Sequence, residues 1–142
     1  MINNVDLPKI KQKIGFMQNN LDKLNKLQIL PKNEFIEDFR NVDSAKYLLQ
    51  VTIEAMMDIS SHIIARMRLG KPQTNKEIFE ILAKENIIEV KYIDTYFAMA
   101  KFRNRIVHMY YDVSDEMIYE INQNNLVDFE VFIKNIVNNI NM

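Results

Sequence analysis

Apolar side chains recur every three or four positions along most of this chain, the spacing that places them on one face of an α-helix. Over residues 7–27 the apolar stripe consists of Ile10, Ile14, Met17, Leu21 and Leu24. A second periodic run over residues 33–68 is either one long helix or two helices joined near residues 41–44. Its apolar positions include Phe35, Phe39, Leu48, Ile53, Met56, Ile63 and Met67.

Residues that end and begin helices divide the middle of the chain. Gly70, with Pro72 two residues later, predicts the end of the second run, because glycine readily adopts the positive φ that follows a helix C-terminus. Thr74 and Glu77 have the spacing of a capping box. They predict the start of a short third helix.

Two further helical segments are predicted after this point. A fourth helix runs from near Val90 to about Tyr111, and Ser114 caps a last helical region that continues to residue 140. The chain contains only 2 Gly and 3 Pro, and no repeat or low-complexity linker interrupts it. The prediction is a single all-α domain over residues 1–142, folded as an up-and-down bundle of four to five helices.

Composition restricts the classes of protein that fit this pattern. The chain has no Cys, which excludes disulfide and thiolate chemistry, and it shows no secretory signal. No apolar run reaches the roughly eighteen residues of a membrane span. We therefore expect a cytoplasmic protein without a membrane association. The formal net charge of −1 excludes a uniformly basic surface for nucleic acid, but it leaves room for a local basic site.

The segment FRNRIVHMYYDV, residues 102–113, places polar chemistry inside an apolar helix. On a helical wheel this helix has two largely apolar stripes, which indicates packing against its own bundle and against a second copy of the chain. Lys101, Arg103 and Arg105 also form a local basic patch in the sequence. Arg103 and His108 lie about 140° apart around a regular helix, so they cooperate only if the helix distorts or two copies meet.

The octet RNRIVHMY resembles the R-x(4)-H-x-Y motif of the HEPN superfamily, specifically of its HepT toxin family. The segments at residues 48–65, 79–88 and 102–121 resemble that family in the same order and spacing. The resemblance implies a helical bundle that dimerises through the motif-bearing helix and acts as a metal-independent endoribonuclease toxin without a cofactor. It also implies a partner antitoxin, a nucleotidyltransferase of the MntA type that silences the toxin by attaching AMP to the Tyr of the motif.

The resemblance assigns roles to individual residues. It implies catalytic roles for Arg103 and His108, AMPylation of Tyr110 and an accessory role for Asn104. Further residues expected in or near the cleft are Arg105, Asp58, His62 and Tyr111.

These residue types suit the cleavage of RNA. Because RNA supplies its own nucleophile in the 2′-hydroxyl, cleavage needs a base for that proton, an acid for the leaving oxygen and a cation for the phosphate. Histidine side chains titrate near neutral pH, so His108 can serve as base or acid. Arg103 remains cationic and can bind two phosphate oxygens at once.

Other interpretations of the same residues remain open. Asp58 and His62, four residues apart, fit a hydrogen bond that orients the histidine better than a pair of metal ligands, and no HExxH motif is present. Without the flanking resemblance, His108 on a mostly apolar stripe would be read as an ordinary packed histidine. The chain as a whole also fits a non-catalytic helical module that pairs with a nucleotidyltransferase.

Overall fold

The chain folds into α-helices, as the periodicity predicts. A computed structural model describes residues 1–140, apart from the side chain of Tyr110. Short 3-10 turns over Val90–Tyr92 and Tyr110–Asp112 flank the fifth of seven α-helices in this part. None of the helices there is both long and apolar enough to cross a membrane. The helices are α1 (Leu7–Gln28), α2 (Lys32–Glu37), α3 (Phe39–Arg66), α4 (Asn75–Lys84), α5 (Ile93–His108), α6 (Asp115–Asn124) and α7 (Leu126–Ile140).

Helix α3 is the central element of the bundle. It is 28 residues long, and α1, α2, α4, α5 and α6 all pack against it. Each fully buried aliphatic side chain contributes about 1.5–3 kcal/mol through the hydrophobic effect, so this helix carries a large part of the core. Its large apolar side chains that are at most 1% exposed are Leu49, Ile53, Met56, Ile59 and Ile63.

Helix α1 packs antiparallel to α3. Asp6 and Lys13, near the start of α1, contact His62 and Asp58, near the end of α3. The predicted apolar stripe of α1 faces this contact and is at most 6% exposed along its whole length. The amphipathic prediction for α1 is therefore confirmed.

Tyr96 joins α5 to α4 and α7. Its ring lies 5.6 Å from the rings of Phe79 and Phe132, measured between centroids. Its hydroxyl donates a hydrogen bond to the carbonyl oxygen of Asp128 at 3.2 Å. Burial raises the pKa of the Tyr96 phenol, so the group stays protonated and keeps this donor. The N-terminal half of α5 is thereby fixed in the core, while its C-terminal half carries the polar motif.

The second periodic run consists of two helices, but the break lies at Asp38 and not near residues 41–44. Asp38 has an extended backbone, and its carboxylate caps α3 by accepting a hydrogen bond from the Arg40 N–H at 3.0 Å. Phe39, which the periodicity places on the apolar face, is 71% exposed because it is the first residue of α3. Phe35 on α2 is fully buried.

The predicted role of Gly70 as the residue after the α3 C-cap is wrong. That position is taken by Arg68, which has a φ of 55°. The Arg68 N–H donates to the Ala65 carbonyl at 3.3 Å, and the Leu69 N–H donates to the Ile64 carbonyl at 3.0 Å, which together form a Schellman motif. Gly70 lies two residues later with a φ of 152°.

Both predicted helix caps are confirmed. The Thr74 hydroxyl accepts a hydrogen bond from the Glu77 N–H at 3.2 Å, and the Ser114 hydroxyl accepts one from the Met117 N–H at 3.2 Å. The region after Ser114 is nevertheless divided at Asn125, whose side-chain amide donates to the Asp128 carboxylate at 3.1 Å. This break and the separate α2 explain why seven helices are described where four to five were predicted.

Candidate active site

Arg103 is held in a fixed orientation by Glu54 of α3. The Arg103 Nε donates a hydrogen bond to Glu54 Oε2 at 2.8 Å, and Arg103 Nη2 lies 2.7 Å from the same oxygen. The two side chains are 29% and 31% exposed, so the ion pair lies at the edge of the core. This pair connects the motif on α5 to the central helix.

Two polar side chains complete the arrangement around the ion pair. The Gln50 amide donates to Glu54 Oε2 at 3.2 Å, and Arg103 Nη1 donates to the Asn104 Oδ1 at 3.2 Å. Each terminal nitrogen of a guanidinium carries two N–H groups, so the outer edge of Arg103 keeps donors for a further anion. A phosphate, which accepts paired hydrogen bonds from arginine, matches that edge.

The contribution of this network is orientation more than stability. A partly exposed ion pair contributes only about 0–1 kcal/mol, because screening by water offsets most of the Coulomb attraction. The Nε and Nη2 edge of Arg103 is nevertheless committed to Glu54, so the guanidinium has one preferred plane. A fixed plane is what bidentate binding of a phosphate requires.

His108 is the last residue of α5 and is exposed. The α-helix is regular from Ile93 to His108, so the distortion that would bring Arg103 and His108 together within one chain does not occur. The two side chains therefore leave the helix about 140° apart. Joint action of these side chains on one phosphate would require a second copy of α5.

The three cations among residues 101–105 do not form one patch. Lys101 lies over the ring of Phe97, 4.5 Å from its centroid. Arg105 Nη2 donates to the carbonyl oxygen of Asp112 at 3.1 Å and so holds the turn that follows α5. Only Arg103 faces α3, while Lys101 and Arg105 lie on the outer side of the helix.

The end of α5 and the turn after it form an exposed surface with apolar and polar side chains. Val107 is 41% exposed, Met109 is 46% exposed and Tyr111 is 88% exposed. Tyr110 belongs to the 3-10 turn Tyr110–Asp112, and its side chain, the predicted point of modification, lies outside the described residues. Exposed apolar side chains beside His108 are consistent with a contact between protein chains.

Asp58 and His62 face α1 and have different partners from the one that the sequence suggested. The Asp58 carboxylate pairs with Lys13 at 3.2 Å. The His62 Nε2 accepts a hydrogen bond from the Asp6 N–H at 3.0 Å, at the start of α1. The interpretation that Asp58 orients His62 is therefore wrong, and a place for these residues in the cleft stays a prediction.

Glu54 and Gln50 are the residues around Arg103 that the sequence did not identify. They lie four residues apart on α3, which is the spacing of an interacting pair on a helix surface. This spacing can be seen in the sequence, because most residues around Gln50 and Glu54 are apolar. Their connection to Arg103, 49 residues away from Glu54, depends on how α3 and α5 pack.

Among residues 1–140, no three His, Cys, Asp or Glu side chains lie close enough together to hold a metal ion. The side chains around Arg103 are instead an acid, two amides and the guanidinium itself. This set is suited to binding and orienting an anion.

The chain is similar to two proteins that are named as nucleases. Residues 17–136 match the family described as Ribonuclease HepT-like. The mRNA nuclease HepT of Shewanella oneidensis is 36% identical over 101 residues, which cover 71% of this chain and 76% of that protein. The tRNA nuclease HepT of Aphanizomenon flos-aquae is 27% identical over 116 residues, which cover 82% of this chain and 79% of that protein.

A solved structure has the same fold. It is the tri-AMPylated Shewanella oneidensis HEPN toxin in complex with MNT antitoxin, which superposes on this chain with a TM-score of 0.83 at 31% identity. The match covers 92% of this chain and 97% of that one.

The contact between His62 and α1 predicts a pH dependence of stability. Burial, followed by the charges of Lys9 and Arg66, lowers the pKa of His62 from its ordinary value of 6.5. On acidification the unfolded chain therefore binds more protons than the folded chain. The contribution of His62 to the free energy of unfolding is present above pH 6.5 and is lost as the pH falls through the pKa that His62 has in the folded protein.

We expect the free energy of unfolding of the wild type to exceed that of a His62→Gln variant by an amount that shrinks on acidification from neutral pH. Gln keeps an acceptor for the Asp6 N–H but does not titrate. Urea unfolding at neutral and acidic pH measures both proteins. Parallel pH profiles for the two would contradict the prediction.

Proposed function

Because the chain belongs to the HepT-like ribonuclease family, we propose that it is the ribonuclease toxin of a toxin–antitoxin pair, acting on RNA in the cytoplasm. The observation that carries this proposal is the Arg103 guanidinium of the R-x(4)-H-x-Y motif, which Glu54 holds in place and whose outer edge points away from Glu54. The curated relatives are named as mRNA and tRNA nucleases, and the similar solved structure is described as a toxin with its antitoxin.

The proposed reaction needs no metal ion. The 2′-oxygen of the RNA bonds to phosphorus as the bond to the 5′-oxygen breaks, which leaves a 2′,3′-cyclic phosphate and a 5′-hydroxyl. His108 accepts the proton of the 2′-hydroxyl or supplies one to the leaving oxygen. Arg103 binds the phosphate oxygens whose negative charge grows in the transition state. Asn104 assists by binding the same guanidinium.

The proposed site lies between two copies of the chain. Because Arg103 and His108 diverge on a regular helix, the pair in one subunit does not converge on one phosphate. A two-fold axis near α5 brings two Arg103 and two His108 side chains into one cleft. The exposed side chains of Val107, Met109 and Tyr111 supply apolar surface for such a contact.

The proposed partner is a nucleotidyltransferase of the MntA type that AMPylates Tyr110. In that reaction the Tyr110 hydroxyl oxygen bonds to the α-phosphorus of ATP, and pyrophosphate leaves. The product carries a bulky anion two residues after His108. It inhibits by occupying the place of an RNA phosphate near Arg103 and by repelling the substrate backbone.

We expect the purified protein to cleave cellular RNA in the presence of EDTA, and His108→Ala and Arg103→Ala variants to lose about 100- to 10,000-fold in rate, the usual contribution of such groups. Gel electrophoresis of the RNA and identification of the cyclic phosphate end measure the reaction. Arg40→Ala, which removes an exposed arginine paired with Asp38, is the control.

Each variant is first shown to be folded and to have the molar mass of the wild type in solution. Absence of cleavage by an unmodified wild-type protein would favour the non-catalytic module. Cleavage that stops with EDTA and returns with a divalent cation would contradict metal independence.

We further expect Glu54→Gln to lower the cleavage rate constant about 10- to 100-fold with a smaller change in KM, because a misoriented guanidinium loses transition-state stabilisation. The same change in an Arg103→Ala background should have almost no effect, since the two residues act as a unit. Single-turnover kinetics measure all four proteins. Glu80→Gln, on the exposed side of α4, is the matched control for the loss of a negative charge. Additive effects of Glu54→Gln and Arg103→Ala on the rate constant would contradict the mechanism.

Co-expression with the partner nucleotidyltransferase should add AMP to Tyr110. Intact-mass and peptide mass spectrometry measure the addition, and Tyr110→Phe should abolish it while Tyr111→Phe should not. AMP found on another residue, or full inhibition of the Tyr110→Phe toxin by the partner, would reject this route of silencing.

A further inference from the structure

A depression of about 440 Å³ lies on the surface between the C-terminal half of α1 and the start of α3. Its leucine side chains are buried or half-buried, whereas its tyrosine and two lysines are exposed. The lining residues are Lys23, Lys26, Leu27, Leu30, Ser44, Tyr47 and Leu48. We call this depression the α1–α3 groove.

The exposed residues of the α1–α3 groove combine an aromatic ring with two cations. Tyr47 is 61% exposed, so its ring is available for contact although burial of an aromatic ring is favourable. Lys23 and Lys26 are exposed on the opposite side, on α1. An aromatic face for a base and ammonium groups for the flanking phosphates are the two components of sites for single-stranded nucleic acid.

Tyr47 of the groove and Glu54 of the candidate active site lie on the same side of α3. Tyr47 and Glu54 are seven residues apart, which is about 20° around the helix and about 10 Å along it. Gln50, between them, hydrogen-bonds to Glu54, and Glu54 holds Arg103. A strand with its cleaved phosphate at Arg103 therefore reaches Tyr47 after about three nucleotides at a stacked spacing of about 3.4 Å.

The distribution of charge favours an anionic strand on this face. Helix α1 carries five Lys and one Asp, whereas α6 and α7 together carry five acidic residues and one Lys. Asp22, the acidic residue of α1, lies in a different depression beside Lys134. The residues that line the α1–α3 groove include no carboxylate. The formal net charge of −1 thus conceals a basic helix α1 and acidic helices α6 and α7.

We propose that the α1–α3 groove binds the single-stranded RNA substrate on one side of the cut, with a base stacked on Tyr47 and phosphates paired with Lys23 and Lys26. This assignment rests on the proposed ribonuclease function, since it places the groove along the path of the RNA. Stacking on a ring is tolerant of base identity, so the groove increases affinity without selecting a sequence.

The test measures binding separately from cleavage. The full-length protein is titrated into a short fluorescent single-stranded RNA that is 2′-O-methylated at every position and therefore lacks the nucleophile. Fluorescence anisotropy gives the Kd at several salt concentrations. We expect Tyr47→Ala to weaken binding about tenfold and Tyr47→Phe to bind like the wild type, because the stacking ring is retained.

The double variant Lys23→Gln with Lys26→Gln should reduce the slope of log affinity against log salt by about 1.4, since each phosphate contact to a single strand contributes about 0.7. Lys9→Gln with Lys11→Gln is the matched control, because it removes the same charge from exposed positions of the same helix. Phe39→Ala is the control for loss of an exposed ring on α3. Both controls should bind like the wild type.

The other outcomes overturn the proposal. Groove variants that keep the affinity and salt slope of the wild type, or a wild type that does not bind the oligonucleotide, would show that the groove is not an RNA subsite. A Tyr47→Ala variant with an altered molar mass in solution would identify the groove as a contact between copies of the chain. The cleavage of natural RNA by the wild type decides the proposed function independently of all three results.

Discussion

The packing of five helices around α3 is the constraint on which the rest of the structure depends. A helix surrounded in this way exposes little of its surface to solvent. The polar residues on its remaining exposed side therefore lie next to the helices that pack at the edges of that side. Glu54 and Gln50 lie on that uncovered side, and α5 lies at its edge. The position of Arg103 is consequently set by the core, although the guanidinium itself belongs to the surface.

The sequence predicted the features that depend on local spacing. The buried stripe of α1 and the caps at Thr74 and Ser114 were visible because each involves residues within a few positions of one another. The position of the break at Asp38 was missed because the apolar periodicity continues past this residue. The break depends on a single side chain, the Asp38 carboxylate that caps α3. Arg68 was missed because an unfavourable left-handed residue is accepted where two backbone hydrogen bonds close the helix.

The candidate site was predictable only in part, for a physical reason. The motif residues could be named from their order in the chain, but the partner of Arg103 is 49 residues away and depends on tertiary packing. The same argument explains Asp58 and His62, whose spacing suggested one pair while the antiparallel contact with α1 gave each a separate partner. Helical spacing predicts contacts within one helix, but it does not predict contacts with the helix that packs against it.

The short turn after α5 has a consequence for how such a protein is controlled. The α-helix ends at His108, and a 3-10 turn begins at Tyr110. A hydrogen bond from Arg105 to the Asp112 carbonyl oxygen stabilises this turn. A modifying enzyme that acts on a residue of such a turn does not have to unwind the helix that precedes it. Under the proposed regulation, silencing would therefore act on the finished fold, and removing the nucleotide would return an assembled enzyme with no folding step in between.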